Sequence, residues 1–233
     1  MVMQRTTAAR TYVDEGLRAH MTGTYAILAK GLLLTAAAAW ATMGTSLHLW
    51  LAGPEGLTGL GWLMMLSPLA LILAASFGMV RSAASASALY WAFVALQGPA
   101  LGLFASAYTA GSVANAAAAA AAAFGAASLY GYTTGRNLDS LGAFMFMGLI
   151  GLIAAGIVNL FLGSAAMDFA LSCIAVVVFT GLAAWDTQRL KDAYVPGLES
   201  REGDFMRYMA AIGLYLSVLN LFMAILSLAG ERK

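Results

Sequence analysis

The residue with the clearest chemical potential is Asp186, an ionisable side chain at the end of an apolar run. The run covers residues 169–185, and Gln188 and Arg189 follow the aspartate directly. A carboxylate facing lipid costs roughly 2.5–3.5 kcal/mol on insertion scales, so such a residue normally points into a helix bundle or a water-filled cavity. Asp186 therefore indicates a polar path inside a membrane protein.

Polar side chains that could accompany Asp186 lie in two other apolar segments. The last segment has one helical face of small and polar residues, made of Gly213, Ser217, Asn220, Ala224 and Ser227. The fifth has a similar face, made of Gly148, Gly151, Ala155 and Asn159. Two interpretations stay open for these stripes, namely close helix packing with a few hydrogen bonds, and a hydrated path between the helices.

The oxygen atoms available near Asp186 are few for a cation site. Calcium takes six or more oxygen ligands, usually with several carboxylates. This chain offers one carboxylate, the Ser217 hydroxyl, the amides of Gln188 and Asn220, and water. We therefore expect any calcium at Asp186 to be bound weakly and transiently.

The composition indicates that lipid surrounds most of the chain. Of its 233 residues, 61% are hydrophobic and only 10% are charged. Between Lys30 and Asp186 the only charged residues are Glu55, Arg81, Arg136, Asp139 and Asp168. The net charge of +1 and the lack of a basic run argue against a nucleic-acid partner. A single cysteine, Cys173, excludes an intramolecular disulfide.

The chain divides into a polar tail and a membrane domain. Residues 1–30 form the tail, in which residues 13–29 could form a helix lying along the membrane surface. Residues 31–230 then contain seven apolar runs of the length needed to cross a bilayer. These runs cover residues 31–51, 60–80, 89–108, 113–132, 141–162, 169–185 and 208–229. Because unsatisfied backbone groups cannot face lipid, we expect seven membrane-spanning helices.

The basic residues predict the orientation of these helices. With seven alternating helices, the tail, Arg81, Arg136 and the loop from Arg189 to Arg207 lie on one side. The connections at residues 52–59, 109–112 and 163–168 lack lysine and arginine. The positive-inside rule therefore places the N-terminus in the cytoplasm. Residues 231–233 then lie outside, unless the last span is re-entrant.

Several stretches resemble the Bax inhibitor family of multi-spanning membrane proteins, in its bacterial branch. Trp185-Asp186-Thr187-Gln188 is similar to the family's most recognisable motif. The entry to the first span, the loop after span four, span five and the last span also resemble the family, at residues 16–39, 128–142, 148–161 and 214–222. The likeness covers nearly the whole chain after residue 15.

The resemblance implies an all-α fold of seven transmembrane helices in a bacterial inner membrane, with the last helix central and wrapped by the other six. For some members it also implies a pH-responsive calcium leak, in which two facing aspartates of spans six and seven pair with an arginine near the end of span two. Asp186 matches the first aspartate, Arg81 is the nearest equivalent of the arginine, and Ser217 stands in the place of the second aspartate. Two adjacent carboxylates cannot both ionise cheaply, and this repulsion gives a proton switch. Since Ser217 removes the repulsion, we expect pH gating to be weakened or shifted to lower pH.

Other interpretations remain open. Asp186 could rest among lipid headgroups in a local ion pair with Arg189 or Lys191. The chain could instead be a scaffold whose tail or loop 192–207 binds a membrane protease or acts in a stress response. Catalysis is not expected, because the chain lacks paired intramembrane aspartates and a serine–histidine pair within its spans. No cofactor is expected beyond calcium as a permeant ion.

Overall fold

The computed structural model describes residues 2–53, 56–68, 70–71, 77–196 and 201–233, without the side chains of residues 2–14 and 201. The elements are α1 (Val2–Gly44), α2 (His48–Leu51), β1 (Ala52–Gly53), β2 (Gly56–Leu57), α3 (Gly59–Met65), α4 (Ala83–Ser106), α5 (Ala110–Thr133), α6 (Asp139–Leu162), α7 (Ala165–Asp192) and α8 (Arg201–Ala229). The two short strands pair antiparallel, with Ala52 opposite Leu57. The described part of the chain is therefore almost entirely helical.

Six of the described helices are long and apolar enough to cross a membrane. They are Glu15–Gly44, Ala83–Ser106, Ala110–Thr133, Asp139–Leu162, Ala165–Asp192 and Glu202–Ala229. The last five correspond to the third through seventh predicted spans. Each helix begins before the first residue of its predicted span, because the residues that precede the apolar run are also helical. In α6, bulky apolar side chains such as Phe144 and Phe161 are exposed, as expected for a surface that meets lipid.

The first two predicted spans differ from the structure in their boundaries. Helix α1 continues without interruption from Val2 to Gly44, so no boundary separates a surface helix at residues 13–29 from a span starting at residue 31. The predicted second span, residues 60–80, includes α3 and further helical residues up to Leu71. Residues 69 and 72–76 of that span lie outside the described residues. The count of seven spans therefore stays a prediction.

The described chain forms two compact units. The first contains Met1–Phe104 and Leu190–Ile212, and the second contains Ala105–Arg189 and Gly213–Lys233. In the first unit, α4 packs closely on α1 at Gly98 and Gly102. A Cβ on Gly98 would lie 2.5 Å from the Ala38 Cβ, and one on Gly102 would lie 2.6 Å from the Ala39 carbonyl oxygen. These two glycines therefore let the helix backbones approach each other.

Glycine has the same role in the second unit. A Cβ on Gly131 of α5 would meet the backbone oxygen of Ala184 in α7, and one on Gly142 of α6 would meet the Trp185 ring. Gly135 lies four residues after Gly131, the spacing at which two small residues can let helices approach, but it has open space around it. Of these two glycines, only Gly131 is at a helix contact.

Helix α8 combines the deepest burial with a fixed C-terminal end. Half of its most apolar stretch is buried, against 11–44% for the other candidate spans. Beyond it, Thr109 N donates to the Glu231 carbonyl oxygen and Lys233 N donates to the Ala107 carbonyl oxygen, both at 2.9 Å. Helix α8 is one continuous helix that is long and apolar enough to cross a membrane, while the side on which residues 231–233 lie stays a prediction. The central position of α8 stays a prediction.

The close contact at Gly131 predicts the effect of a single added methyl group. We expect Gly131→Ala to lower the stability of the protein by about 1–3 kcal/mol, because the methyl group displaces the α7 backbone. The matched control is Gly125→Ala in the same helix, where nothing lies within 4 Å, and it should leave stability unchanged or raise it by up to about 1 kcal/mol. Thermal unfolding in detergent measures both. Equal stability of the two variants would contradict the proposed contact.

Candidate polar site around Asp186

The Asp186 carboxylate lies against the backbone of α8. A Cβ built on Gly213 would be 3.2 Å from Asp186 Oδ2 and 3.5 Å from its Cγ. The Ser217 hydroxyl forms a hydrogen bond with the same carboxylate, and the charge of Arg189 also acts on it. The acid is half-buried, whereas Ser217 is buried. The site therefore combines one carboxylate, one hydroxyl and one nearby cation.

The spacing of α8 explains why these groups meet. Gly213 and Ser217 are four residues apart, so they lie on one helical face, one turn from each other. Gly213 leaves room for the carboxylate, and Ser217 supplies a hydrogen-bond donor beside it. Asn220, next along the predicted stripe, donates from Nδ2 to the Leu216 carbonyl oxygen of its own helix at 2.8 Å. Of the predicted polar face, only Ser217 is shown bonded to Asp186.

Trp185, which precedes Asp186 in the sequence, makes two contacts that the sequence did not predict. Trp185 Nε1 donates to Asp139 Oδ1 at 3.1 Å, and the Arg189 guanidinium lies over the Trp185 ring, 4.6 Å from its centroid. The i, i+4 spacing of Trp185 and Arg189 on one helix was the available signal. The tryptophan therefore joins α7 to the start of α6 and holds Arg189 beside the site.

The structure gives Gln188 a different environment from that of Asp186. Its Oε1 accepts from Leu138 N at 2.7 Å, and its Nε2 donates to the Arg136 carbonyl oxygen at 2.8 Å. Both ends of this buried amide are therefore bonded to the backbone of the α5–α6 loop. The amide is therefore committed to the loop in this structure, and the predicted contribution of Gln188 to an ion path stays a prediction.

Asn159 is not brought near Asp186. Its Nδ2 donates to the Ser164 carbonyl oxygen and to Asp168 Oδ1, while its Oδ1 accepts from Ser164 N. It therefore closes the α6–α7 turn, where Gly163 adopts a left-handed conformation. Asp168 and Asp186 are separated by about 27 Å along α7, at ~1.5 Å per residue. Asn159 of α6 therefore lies beside the beginning of α7, far from Asp186, and its predicted place on an ion path stays a prediction.

Arg81 belongs to the first unit, whereas Asp186 belongs to the second. Arg81 Nε donates to the Gly78 carbonyl oxygen at 2.7 Å, and Arg81 N donates to Ser85 Oγ at 3.1 Å. The Arg81 side chain is exposed. These interactions are local to the turn before α4, and the pairing of Arg81 with Asp186 stays a prediction.

A buried histidine in the first unit was not assigned a role from the sequence. His20 is 4% exposed, and its Nε2 has no hydrogen-bond partner in the described structure. The Tyr194 ring lies 5.7 Å from the His20 ring, and the charge of Arg207 acts on the imidazole. The signal in the sequence was the common helical face of Gly16, His20 and Gly23, since the two glycines adjoin Tyr194 and Arg207.

The described residues do not provide a preformed metal site. Within the described ranges, no group of three or more histidine, cysteine, aspartate or glutamate residues could hold a metal ion. Asp186 is the one carboxylate placed at Gly213 and Ser217. The donor set at Asp186 therefore suits passage or weak binding of a cation better than tight chelation.

The fold and the site together define a multi-pass α-helical membrane protein with a half-buried carboxylate between two spans. Residues 17–233 match the family described as "Inhibitor of apoptosis-promoting Bax1". The chain therefore belongs to the Bax inhibitor family, as the sequence motifs predicted.

Relatives from several bacteria match over nearly their full length. A protein of Rickettsia prowazekii (strain Madrid E) is 41% identical over 231 residues, which is 98% of this chain and 96% of the relative. A protein of Caulobacter vibrioides is also 41% identical, over 95% of this chain and 92% of its own length. The inner membrane protein YbhL of Escherichia coli K12 is 36% identical, over 94% of each chain. With its apolar helices, this likeness identifies a multi-pass inner-membrane protein, as predicted.

The loop contact of Gln188 yields a second prediction. Gln188→Ala should destabilise the protein by about 1–3 kcal/mol, because it leaves Leu138 N and the Arg136 carbonyl oxygen without their partner. Limited proteolysis of residues 134–138 and thermal unfolding would measure the effect. Asn220→Ala is the matched control, since its amide reaches only its own helix and its loss should cost less. A larger effect at Asn220 than at Gln188 would contradict this assignment.

Proposed function

We propose that this protein is a weak cation leak channel of the inner membrane, with calcium as a permeant ion and a polar path near Asp186 between α7 and α8. The observation that carries this proposal is the position of the Asp186 carboxylate against Gly213 and Ser217. An intramembrane carboxylate directed toward a neighbouring helix is typical of ion pathways. The family likeness agrees with this function, because some members are calcium leaks.

The small number of oxygen ligands favours passage over storage. A conducting site must attract an ion and also release it. One carboxylate supported by Ser217, with Asn220 one turn further along α8, attracts a divalent cation without enclosing it. In this proposal Asp186 is the only metal-contacting carboxylate, its calcium contact is transient, and the protein has no cofactor and no catalytic role.

Ser217 provides the physical reason for weakened pH gating. In a two-aspartate site, the second acid can donate a hydrogen bond only after it takes up a proton. A serine hydroxyl donates at every physiological pH. The Ser217 hydroxyl therefore donates to Asp186 without taking up a proton, and any remaining pH response comes from protonation of Asp186 itself, at lower pH than in a two-aspartate site.

The proposed arrangement has seven spans, a cytoplasmic N-terminus and α8 at the centre. The burial of half of the most apolar stretch of α8 supports its central position. The absence of lysine and arginine from residues 109–112 supports the placement of the α4–α5 turn outside.

The alternative function is a scaffold that regulates a membrane protease or a stress response. In its favour, α1 begins at Val2, so the polar tail continues the same helix as the first candidate span. In this alternative the tail presents a binding surface in the cytoplasm. From His20 onward, one face of α1 is buried, as at Thr24 and Leu28, so a truncation that tests the scaffold should remove residues 2–14 only.

Calcium flux into proteoliposomes between pH 5 and 8 tests the channel. We expect wild-type protein to conduct without a steep transition near pH 7, Asp186→Asn to reduce flux at least about 10-fold, and Ser217→Asp to introduce a pH-dependent transition by restoring paired carboxylates. Empty liposomes give the background. Flux that survives in Asp186→Asn would contradict the proposed path.

Two further variants make the experiment specific. His20→Gln removes the other buried ionisable side chain described above, so a pH response that persists in it does not arise from His20. Removal of residues 2–14 should leave flux unchanged. Two results together would replace the channel with the scaffold as the proposed function. The purified protein would conduct no cation, and removal of residues 2–14 alone would abolish its effect on membrane proteolysis or stress resistance in cells.

A further inference from the structure

A groove in the first unit brings together the beginnings of two spans. It is lined by residues before and in the first turn of α4 and by residues in the first two turns of α8, namely Arg81, Ser82, Ala83, Ala84, Glu202, Phe205 and Met206. Its volume is about 830 Å³, within the ~300–1,000 Å³ of typical small-ligand sites. The groove is therefore large enough to hold part of another molecule.

The two charges in this groove have opposite sign and do not pair with each other. Arg81 is exposed and fixed by its Nε at the Gly78 carbonyl oxygen, and Glu202 is exposed in the first turn of α8. The ion pair present among the described residues joins Arg207 to Asp204 and does not include Arg81 or Glu202. Arg81 and Glu202 therefore present one cation and one anion to the same space.

The position of the groove relative to the membrane indicates that its ligand is a lipid. Arg81 lies two residues before the candidate span Ala83–Ser106, and Glu202 lies in the first turn of α8, six residues before the apolar run that begins at Tyr208. Because charged side chains at the ends of spans favour the headgroup region, we infer that both face lipid headgroups. Phe205 and Met206 follow Glu202 by one turn, further along the span and toward the hydrocarbon. The groove thus changes from charged to apolar in the direction in which a phospholipid does.

We propose that this groove binds a zwitterionic phospholipid with a primary ammonium headgroup. Arg81 binds the phosphate, Glu202 accepts hydrogen bonds from the ammonium group, and the upper acyl chain packs on Phe205 and Met206. The phosphate of phosphatidylglycerol could also bind Arg81, but its neutral glycerol hydroxyls bring no positive charge to Glu202. A quaternary ammonium headgroup has no N–H to donate to the carboxylate. This inference does not depend on the proposed ion path.

Lipid binding to the delipidated full chain in detergent tests the proposal. Native mass spectrometry and thermal stabilisation would be measured with short-chain phosphatidylethanolamine, phosphatidylcholine and phosphatidylglycerol. We expect phosphatidylethanolamine to bind about 10-fold more tightly than the other two, since one charge-assisted hydrogen bond accounts for such a ratio. Arg81→Gln and Glu202→Gln should each abolish this preference. The matched control, Arg136→Gln in the exposed α5–α6 loop, should keep it.

A charge reversal keeps the test decisive if a neutral variant folds poorly. Glu202→Lys places two cations in the groove and should change the preference from phosphatidylethanolamine to phosphatidylglycerol. Equal binding of all three lipids to the wild type would overturn the proposal. So would binding of free phosphoethanolamine as tight as that of the lipid, because the groove would then take a soluble ligand.

Discussion

The structure around α7 and α8 depends on one constraint, namely that a carboxylate within a membrane span must have a partner inside the protein. Asp186 meets this requirement through the Ser217 hydroxyl and through the space that Gly213 leaves beside the α8 backbone. Either helix alone would expose an unsatisfied polar surface to lipid. The two helices therefore fix each other's rotation, because only one face of α8 offers both a gap and a donor.

Close approach of helix backbones supplies the rest of the packing. Gly98 and Gly102 admit α1 in one unit, and Gly131 admits α7 in the other. Lipid provides little hydrophobic drive for association between apolar helices, so contact at short range and a few hydrogen bonds must stabilise them. Buried polar pairs serve the same purpose, as between Ser67 Oγ and Gln97 Oε1 at 3.1 Å. Buried polar atoms normally have a hydrogen-bond partner, so His20 Nε2, which has none in the described structure, is an exception to this rule.

The sequence predicted the membrane class, the family and most spans, because length and apolar content alone determine which helices can cross a bilayer. Asp186 was visible as a lone charge in an apolar run, and the family resemblance indicated that Ser217 faces it, as the structure shows. The sequence did not reveal that Asn159 lies far from Asp186, since periodicity indicates a face of a helix but not the height at which that face meets another helix. It also missed the loop contact of Gln188, because the loop backbone that competes for the amide has no signature in side-chain types.

The hydrogen bonds of Gln188 and Trp185 have a mechanical consequence for Asp186. Three of them tie residues 185–188 to the α5–α6 loop and the first residue of α6. Rotating α7 would strain or break all three, each worth about 0.5–1.5 kcal/mol, in addition to the bond from Ser217. The cytoplasmic half of α7 therefore behaves as a stator, and the direction of the Asp186 side chain is fixed by what α7 is tied to as well as by the helix that faces it.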